Sequence, residues 1–219
     1  MRIQGVIFDL DGTLGNTLPV CYEAFRRVFQ RRLGRLYSDS EIHAMFGPSE
    51  EGILEALIPS DPDGALNEYL DEYRAAHRAF QDPFAGIPEA LDLLESCGVR
   101  TAIVTGKGPN SAAISLKELR LSRYFKLVEA GSASGAAKPE AMRHVLSAWS
   151  LSPNEVVGVG DAASDITAAR EVGITCIAAA WSPTAHNEVL ASLAPDHLFD
   201  DVSDFNAWLK NQTINMQSP

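Results

Sequence analysis

Val6-Ile7-Phe8-Asp9-Leu10-Asp11-Gly12-Thr13-Leu14 is the stretch from which the rest of this chain can be read. An apolar run leads into two carboxylates two residues apart, then a glycine and a hydroxyl. That is the pattern of a short buried strand delivering polar groups at its carboxyl end. In an open parallel sheet, ligands bind at that end. On a regular strand Asp9 and Asp11 would share a face, but the Asp11-Gly12 turn can send the second carboxylate back across the site. Alone, the pair fits either a polar turn or a metal-binding or catalytic pair.

Downstream of this strand, read as 4–10, the pattern becomes helical. Val20, Ala24, Val28 and Phe29 recur at helical spacing, with Arg26, Arg27, Gln30, Arg31 and Arg32 on the polar side. The arginines read as a solvated face favourable near a helix C-terminus. Ser38-Asp39-Ser40-Glu41 predicts a second helix start, Gly47-Pro48 an interruption, and Ser49-Glu50-Glu51 a third helix running to Leu57. After a connection over 59–64, a longer helix is expected over 66–80. Residues 18–82 therefore read as a small all-helical cap inserted after the first strand, with 1–17 and 83–219 forming the core.

Beyond the cap, helices and strands alternate. Helices are expected over 89–97, 112–119, 140–149, 165–172 and 183–193, and strands over 99–104, 125–129, 155–159 and 174–177. A short edge strand is expected over 197–199, and the polar tail after Leu209 is read as fraying. This alternation predicts a layered α/β core.

Composition narrows the partners. The chain's 219 residues, 46% apolar and 21% charged, suffice for a substantial core. Eighteen Lys and Arg against 29 Asp and Glu leave a net charge of −11, which disfavours nucleic acid and anionic membrane surfaces as partners. An anionic small substrate would need local compensation. Cys21, Cys97 and Cys176 form neither a disulfide framework nor a zinc pattern. With no long apolar window, a cytoplasmic location is expected.

Three later clusters complete the first. Asp161 follows Gly158-Val159-Gly160, and Asp165 lies four residues on, facing similarly if a helix begins between them. Either could be structural, as a helix N-cap or a first-turn acid. Set beside Asp9 and Asp11, they would repel unless protons or a cation compensate, and Mg²⁺ accepts hard oxygen donors. Thr105-Gly106 follows a strand and could form an anion nest or simply a cap. Lys138 precedes Pro139 at a helix start, where it is either solvated or neutralises a phosphoryl group and a carboxylate.

With these residues in order, the sequence resembles the haloacid dehalogenase superfamily, specifically its phosphoglycolate phosphatase-like branch with a helical cap. The resemblance rests on Asp9-Leu10-Asp11-Gly12-Thr13-Leu14, Thr105-Gly106, Lys138-Pro139 and Gly160-Asp161-Ala162-Ala163-Ser164-Asp165. It implies a three-layer Rossmann-like parallel sheet. It further implies Asp9 as nucleophile, Asp11 as general acid/base, and Mg²⁺ held by Asp9, the backbone carbonyl of Asp11 and Asp161, with Asp165 supporting. Thr105, Gly106 and Lys138 would hold the phosphoryl group. Among dehalogenating members an aspartate at the position of Asp11 is lacking, so Asp11 points to phosphate chemistry.

The sequence departs from the family pattern at Ala136-Ala137 before Lys138, at Gly131-Ser132-Ala133-Ser134 without acids, at Asn16 and at Ala162. These touch loop geometry and substrate identity more than the chemistry. Asn16, Phe46 and Lys107 are the candidate substrate-contacting residues, with Phe46 on the turn 46–51 of the cap. The resemblance puts 2-phosphoglycolate first as substrate. Pyrophosphate, a sugar phosphate, a nucleotide, a phosphoglucomutase-like transfer and a silent phosphate-binding module are the alternatives. A monomer or homodimer acting on a small phosphorylated metabolite is expected.

Overall fold

The computed structural model describes residues 3–135 and 137–214. Six parallel strands form one sheet in the order β3-β2-β1-β4-β5-β6: β1 Gly5–Phe8, β2 Arg100–Val104, β3 Leu127–Glu129, β4 Val156–Gly160, β5 Thr175–Ala179 and β6 His197–Phe199. β1 lies at the centre, with Phe8 in register with Ile103 on one side and Val159 on the other. The chain builds outward through β2 and β3, then returns to β1's other side with β4. The carboxyl ends of β1 and β4 thus flank the point where strand order reverses, the crevice open α/β sheets use for ligands.

Both faces of the sheet are covered, so β1 is apolar and buried throughout. Alternation divides its side chains. Val6 and Phe8 pack with Ile103, Val157 and Val159 beneath α5 (Ile87–Ser96), α6 (Pro109–Glu118) and α10 (Val202–Ile214). Ile7 packs with Ala102, Val104 and Val156 beneath α7 (Lys138–Trp149) and α8 (Ala163–Val172).

Between β1 and α5 run four helices: α1 Leu18–Leu33, α2 Asp39–His43, α3 Glu50–Leu57 and α4 Pro62–His77. They share their own core, in which Phe25, Phe29, Tyr69 and Tyr73 are fully buried. Each such side chain contributes about 1.5–3 kcal/mol of apolar burial. The α1 arginines form the expected solvated face and also pair across it. Arg27 and Arg31 bridge Glu72 at 2.9 and 2.7 Å, and Arg32 bridges Glu68 at 2.6 Å, tying α1 to α4 along its outer side.

Three helix expectations are corrected. The fourth helix begins at Pro62, not Leu66, because Asp61 caps it through the Gly64 N–H at 3.1 Å. The helix expected over 183–193 is shorter, α9 Asn187–Ser192, because the residues before it turn on themselves, with the Ala185 N–H donating to Ser182 O at 3.1 Å. The tail after Leu209 does not fray there: α10 continues to Ile214, with Thr213 buried and donating to Leu209 O at 2.9 Å. The last five residues, 215–219, lie outside the described residues, as does Ala136. No helix among the described residues is long and apolar enough to cross a membrane.

Candidate active site

The loops after β1 and β4 build the first half of the site. The Asp9 N–H donates to Val159 O at 2.9 Å, fixing the end of β1 against β4. Gly12 has φ +79°, and a Cβ there would overlap the Asp161 carboxylate, so only glycine permits this turn. Thr13 Oγ1 donates to Asp161 Oδ1 at 3.2 Å, and the Trp181 indole N–H to Thr13 O at 3.1 Å. Asp165 sits in the first turn of α8, where its Oδ2 accepts from the Ala162 N–H at 3.1 Å. Asp9, Asp161 and Asp165 each offer an oxygen within 4.8 Å of the others.

Lys138, at the start of α7, is 3.3 Å from Asp9 Oδ1 and 2.5 Å from Asp165 Oδ1. Burial pulls its ammonium pKa down, but Asp165 and Asp9 more than reverse this and hold it charged. One ammonium is too little for three buried carboxylates. Burial pushes Asp9 up to about 6, with Lys138 opposing the rise and Asp165 adding to it. Asp161 is driven well above the usual carboxylate range by burial, Asp9 and Asp165. Surplus buried negative charge on hard oxygen donors, without nitrogen or sulfur, fits a divalent cation.

Asp11 turns away from this cluster. Its Oδ1 accepts from Thr17 Oγ1, and its Oδ2 lies 3.3 Å from Lys107 Nζ. Burial raises the Asp11 carboxyl against the pull of Lys107 and Thr17, which favours its protonated form. Lys107 also donates to Glu50 Oε1 and Cys21 Sγ, both at 3.1 Å, and lies 4.5 Å from the centre of the Tyr73 ring. Glu50 Oε2 accepts from the Gly108 N–H at 2.6 Å, and Oε1 from Ser111 Oγ at 2.7 Å, at the start of α6. Although burial alone would raise Glu50, Lys107, Ser111 and the Gly108 amide hold it below its ordinary range. Glu50 lies in the turn 46–51 marked in the sequence, but its pairing with Gly108 and Ser111 carries no signal there, since a contact across 58 residues leaves no local pattern.

A single cavity of about 790 Å³ joins these groups. Asp9, Asp11, Asp161 and Lys138 line its floor, with Thr105, Gly106 and Lys107 beside them and Phe46 on the cap side. The Lys107 N–H donates to Thr105 Oγ1 at 3.3 Å, so this loop is already turned inward. Gly131 packs so tightly on Gly106 that a Cβ would overlap the Gly106 carbonyl, and its N–H donates to Lys107 O at 2.8 Å. The loop leading to Lys138 is thereby fastened to the Thr105 loop. Asn16 is not among the cavity-lining residues; its Oδ1 is buried without a protein partner. Asp165 stands behind the lining, reaching it through Lys138.

Comparison with known proteins agrees with this arrangement. The family model described as "Haloacid dehalogenase-like hydrolase" matches residues 6–179. Pyrophosphatase PpaX of Anoxybacillus flavithermus is 29% identical over 93% of this chain and 95% of its own length. Phosphoglycolate phosphatase 1 of Pseudomonas aeruginosa is 26% identical over 91% of this chain and 77% of its own. The crystal structure of CbbY from Rhodobacter sphaeroides in complex with phosphate shares the fold, with a TM-score of 0.79, 20% identity, and coverage of 93% and 96% of the two chains. The family match begins on β1, runs through the cap and ends on β5, spanning every carboxylate and lysine described above, and the chain belongs to the haloacid dehalogenase-like hydrolases.

Proposed function

We propose that the chain is a Mg²⁺-dependent phosphatase that hydrolyses a small phosphomonoester through an aspartyl-phosphate on Asp9. The observation that carries this reading is the divergence of two carboxylates from one turn. Asp9 stands with Lys138 and the acidic cluster, whereas Asp11 is held apart with a raised pKa. Nucleophile and proton carrier need such different surroundings.

Asp9 attacks phosphorus, and the P–O bond to the leaving group breaks as Asp11 gives that oxygen its proton. Asp11, now a carboxylate, takes a proton from water; the hydroxide oxygen attacks phosphorus and the bond to Asp9 breaks, releasing phosphate. Lys138 holds the charge on the phosphoryl oxygens, and Thr105 and the Gly106 amide orient them. Asp9, Asp161 and the Asp11 carbonyl would hold the Mg²⁺, with Asp165 in support. Bound there, the ion supplies charge neutralisation for carboxylates and phosphoryl group alike.

In this reading 18–82 is the cap and 1–17 with 83–219 the catalytic core. The chain works in the cytoplasm, as a monomer or homodimer, on a small phosphorylated metabolite. The names of its relatives divide between pyrophosphatase and phosphoglycolate phosphatase, so 2-phosphoglycolate and pyrophosphate both belong in the test. Phosphate release is measured over these, hexose phosphates and nucleotide monophosphates, with Mg²⁺ and with chelator. Mg²⁺-dependent release that disappears in Asp9→Asn is expected. Release unchanged in that variant overturns the nucleophile, while transfer to a sugar phosphate without free phosphate makes the chain a mutase.

A further inference from the structure

The side of the cavity away from the acidic cluster says what kind of leaving group fits. It is walled by Leu18, Cys21, Phe25, Phe46, Pro48 and Ile53. Apolar surface of this kind stabilises an apolar ligand by excluding water from both.

Charge points the same way. Two lysines line the cavity among the described residues, and both are engaged. Lys138 serves Asp9 and Asp165. Lys107 donates to Glu50 and Cys21 at 3.1 Å and pairs with Asp11 at 3.3 Å, so its ammonium is already occupied. The α1 arginines that pair with Glu68 and Glu72 sit on the outer side of the cap. His43 and His186 lie exposed at the rim, with His43 Nδ1 3.0 Å from the Tyr22 hydroxyl. A second anion on the substrate would therefore find no free cation among the described lining residues and meet apolar walls, and buried charge without a partner is costly.

The Ser49 N–H donates to Ser132 O at 2.9 Å, and Glu50 is bonded to the start of α6, so the cap is already seated on the core. About 790 Å³ remains, towards the upper end of the range for drug-sized ligands, roughly 300–1,000 Å³. Glycolate or a second phosphate would leave most of the apolar wall uncovered.

We propose that this site takes the phosphate monoester of an uncharged, apolar alcohol or phenol, in preference to an ester carrying a second anion. The inference rests on the phosphatase reading above and narrows its substrate class.

The test uses esters of matched shape: 4-carbamoylbenzyl phosphate and 4-carboxybenzyl phosphate, which differ in charge, with benzyl phosphate and 2-phosphoglycolate beside them. Wild-type kcat/KM is measured with Mg²⁺, and Kd for the same esters is measured by calorimetry on Asp9→Asn. The carbamoyl ester is expected to exceed the carboxyl ester by about tenfold or more, with benzyl phosphate at least as good and 2-phosphoglycolate poorest. Equal or reversed values for the matched pair, or preference for 2-phosphoglycolate, overturn the proposal and leave the phosphatase reading standing. If no ester releases phosphate, it is the phosphatase reading that fails. The calorimetric pair then decides: tighter binding of the carbamoyl ester keeps the substrate class, and equal, reversed or absent binding overturns it.

Discussion

Two buried lysines sit at opposite sides of one cavity, and their surroundings are resolved in opposite ways. Around Lys138, three carboxylates crowd one ammonium, and the excess shows as Asp9 and Asp161 carboxyls pushed upward. Around Lys107, burial raises Asp11, while Glu50 is held below its ordinary range by Lys107 itself, helped by the Ser111 hydroxyl and the Gly108 amide. The first cluster is incomplete as protein and fits a cation. The second closes on itself with protein donors, joining cap to core. Similar residue types thus serve chemistry in one place and assembly in the other, and hydrogen-bond donors decide which.

The contrast is most severely tested at Asp9. Asp9→Asn should lower kcat by about 10⁴-fold or more in a phosphate-release assay. In metal-free protein the same change should stabilise the fold by about 2–3 kcal/mol above pH 6. The sign follows from the raised folded-state pKa, which makes ionised Asp9 a cost that grows as pH rises from about 4 to about 6. Urea unfolding at pH 4 and pH 7.5 reads this, and a gain that persists at pH 4 would break the assignment.

Lys107→Met comes next, since it leaves Asp11 and Glu50 buried without their cation. A loss of about 3–5 kcal/mol is expected. Adding Glu50→Gln should recover part of it, and strictly additive losses in a double-mutant cycle would show that the two do not interact. Mg²⁺ at a hundredfold over its Kd should stabilise wild type by about 2.7 kcal/mol, seen as a rise in melting temperature that Asp161→Asn removes. An undiminished rise would move the cation elsewhere. The smallest effect is expected for Ser111→Ala, about 1 kcal/mol, since Glu50 keeps its other donors.

The acidic cluster was legible because its signals are local. Val6-Ile7-Phe8 before Asp9, and Val156 to Gly160 before Asp161, each announce a buried strand ending in a carboxylate. Thr105 and Lys138 stand beside glycine and proline, which mark their loops. The Lys107 cluster was not legible. Glu50 reads as an ordinary first-turn acid of α3, and nothing near it announces Gly108 or Ser111. Nor do the α1 arginines show their partners, because Glu68 and Glu72 become neighbours only when α1 meets α4. The end of the chain was a different failure: Val202, Phe205 and Leu209 carry the helical spacing of α10, all three are buried, and the polar residues around them masked it.

The central place of β1 has a consequence for how the protein is made. Phe8 finds its partners in Ile103 and Val159, so the strand leaves the ribosome well before either neighbour exists. The cap helices, whose contacts are closer in sequence, can assemble in the meantime. Val6, Ile7 and Phe8 keep one edge of their strand unpaired until β4 emerges, and a sticky segment held exposed during synthesis is what chaperones bind. The strand that carries the reactive aspartate is the segment whose protection is completed only after most of the chain has been translated.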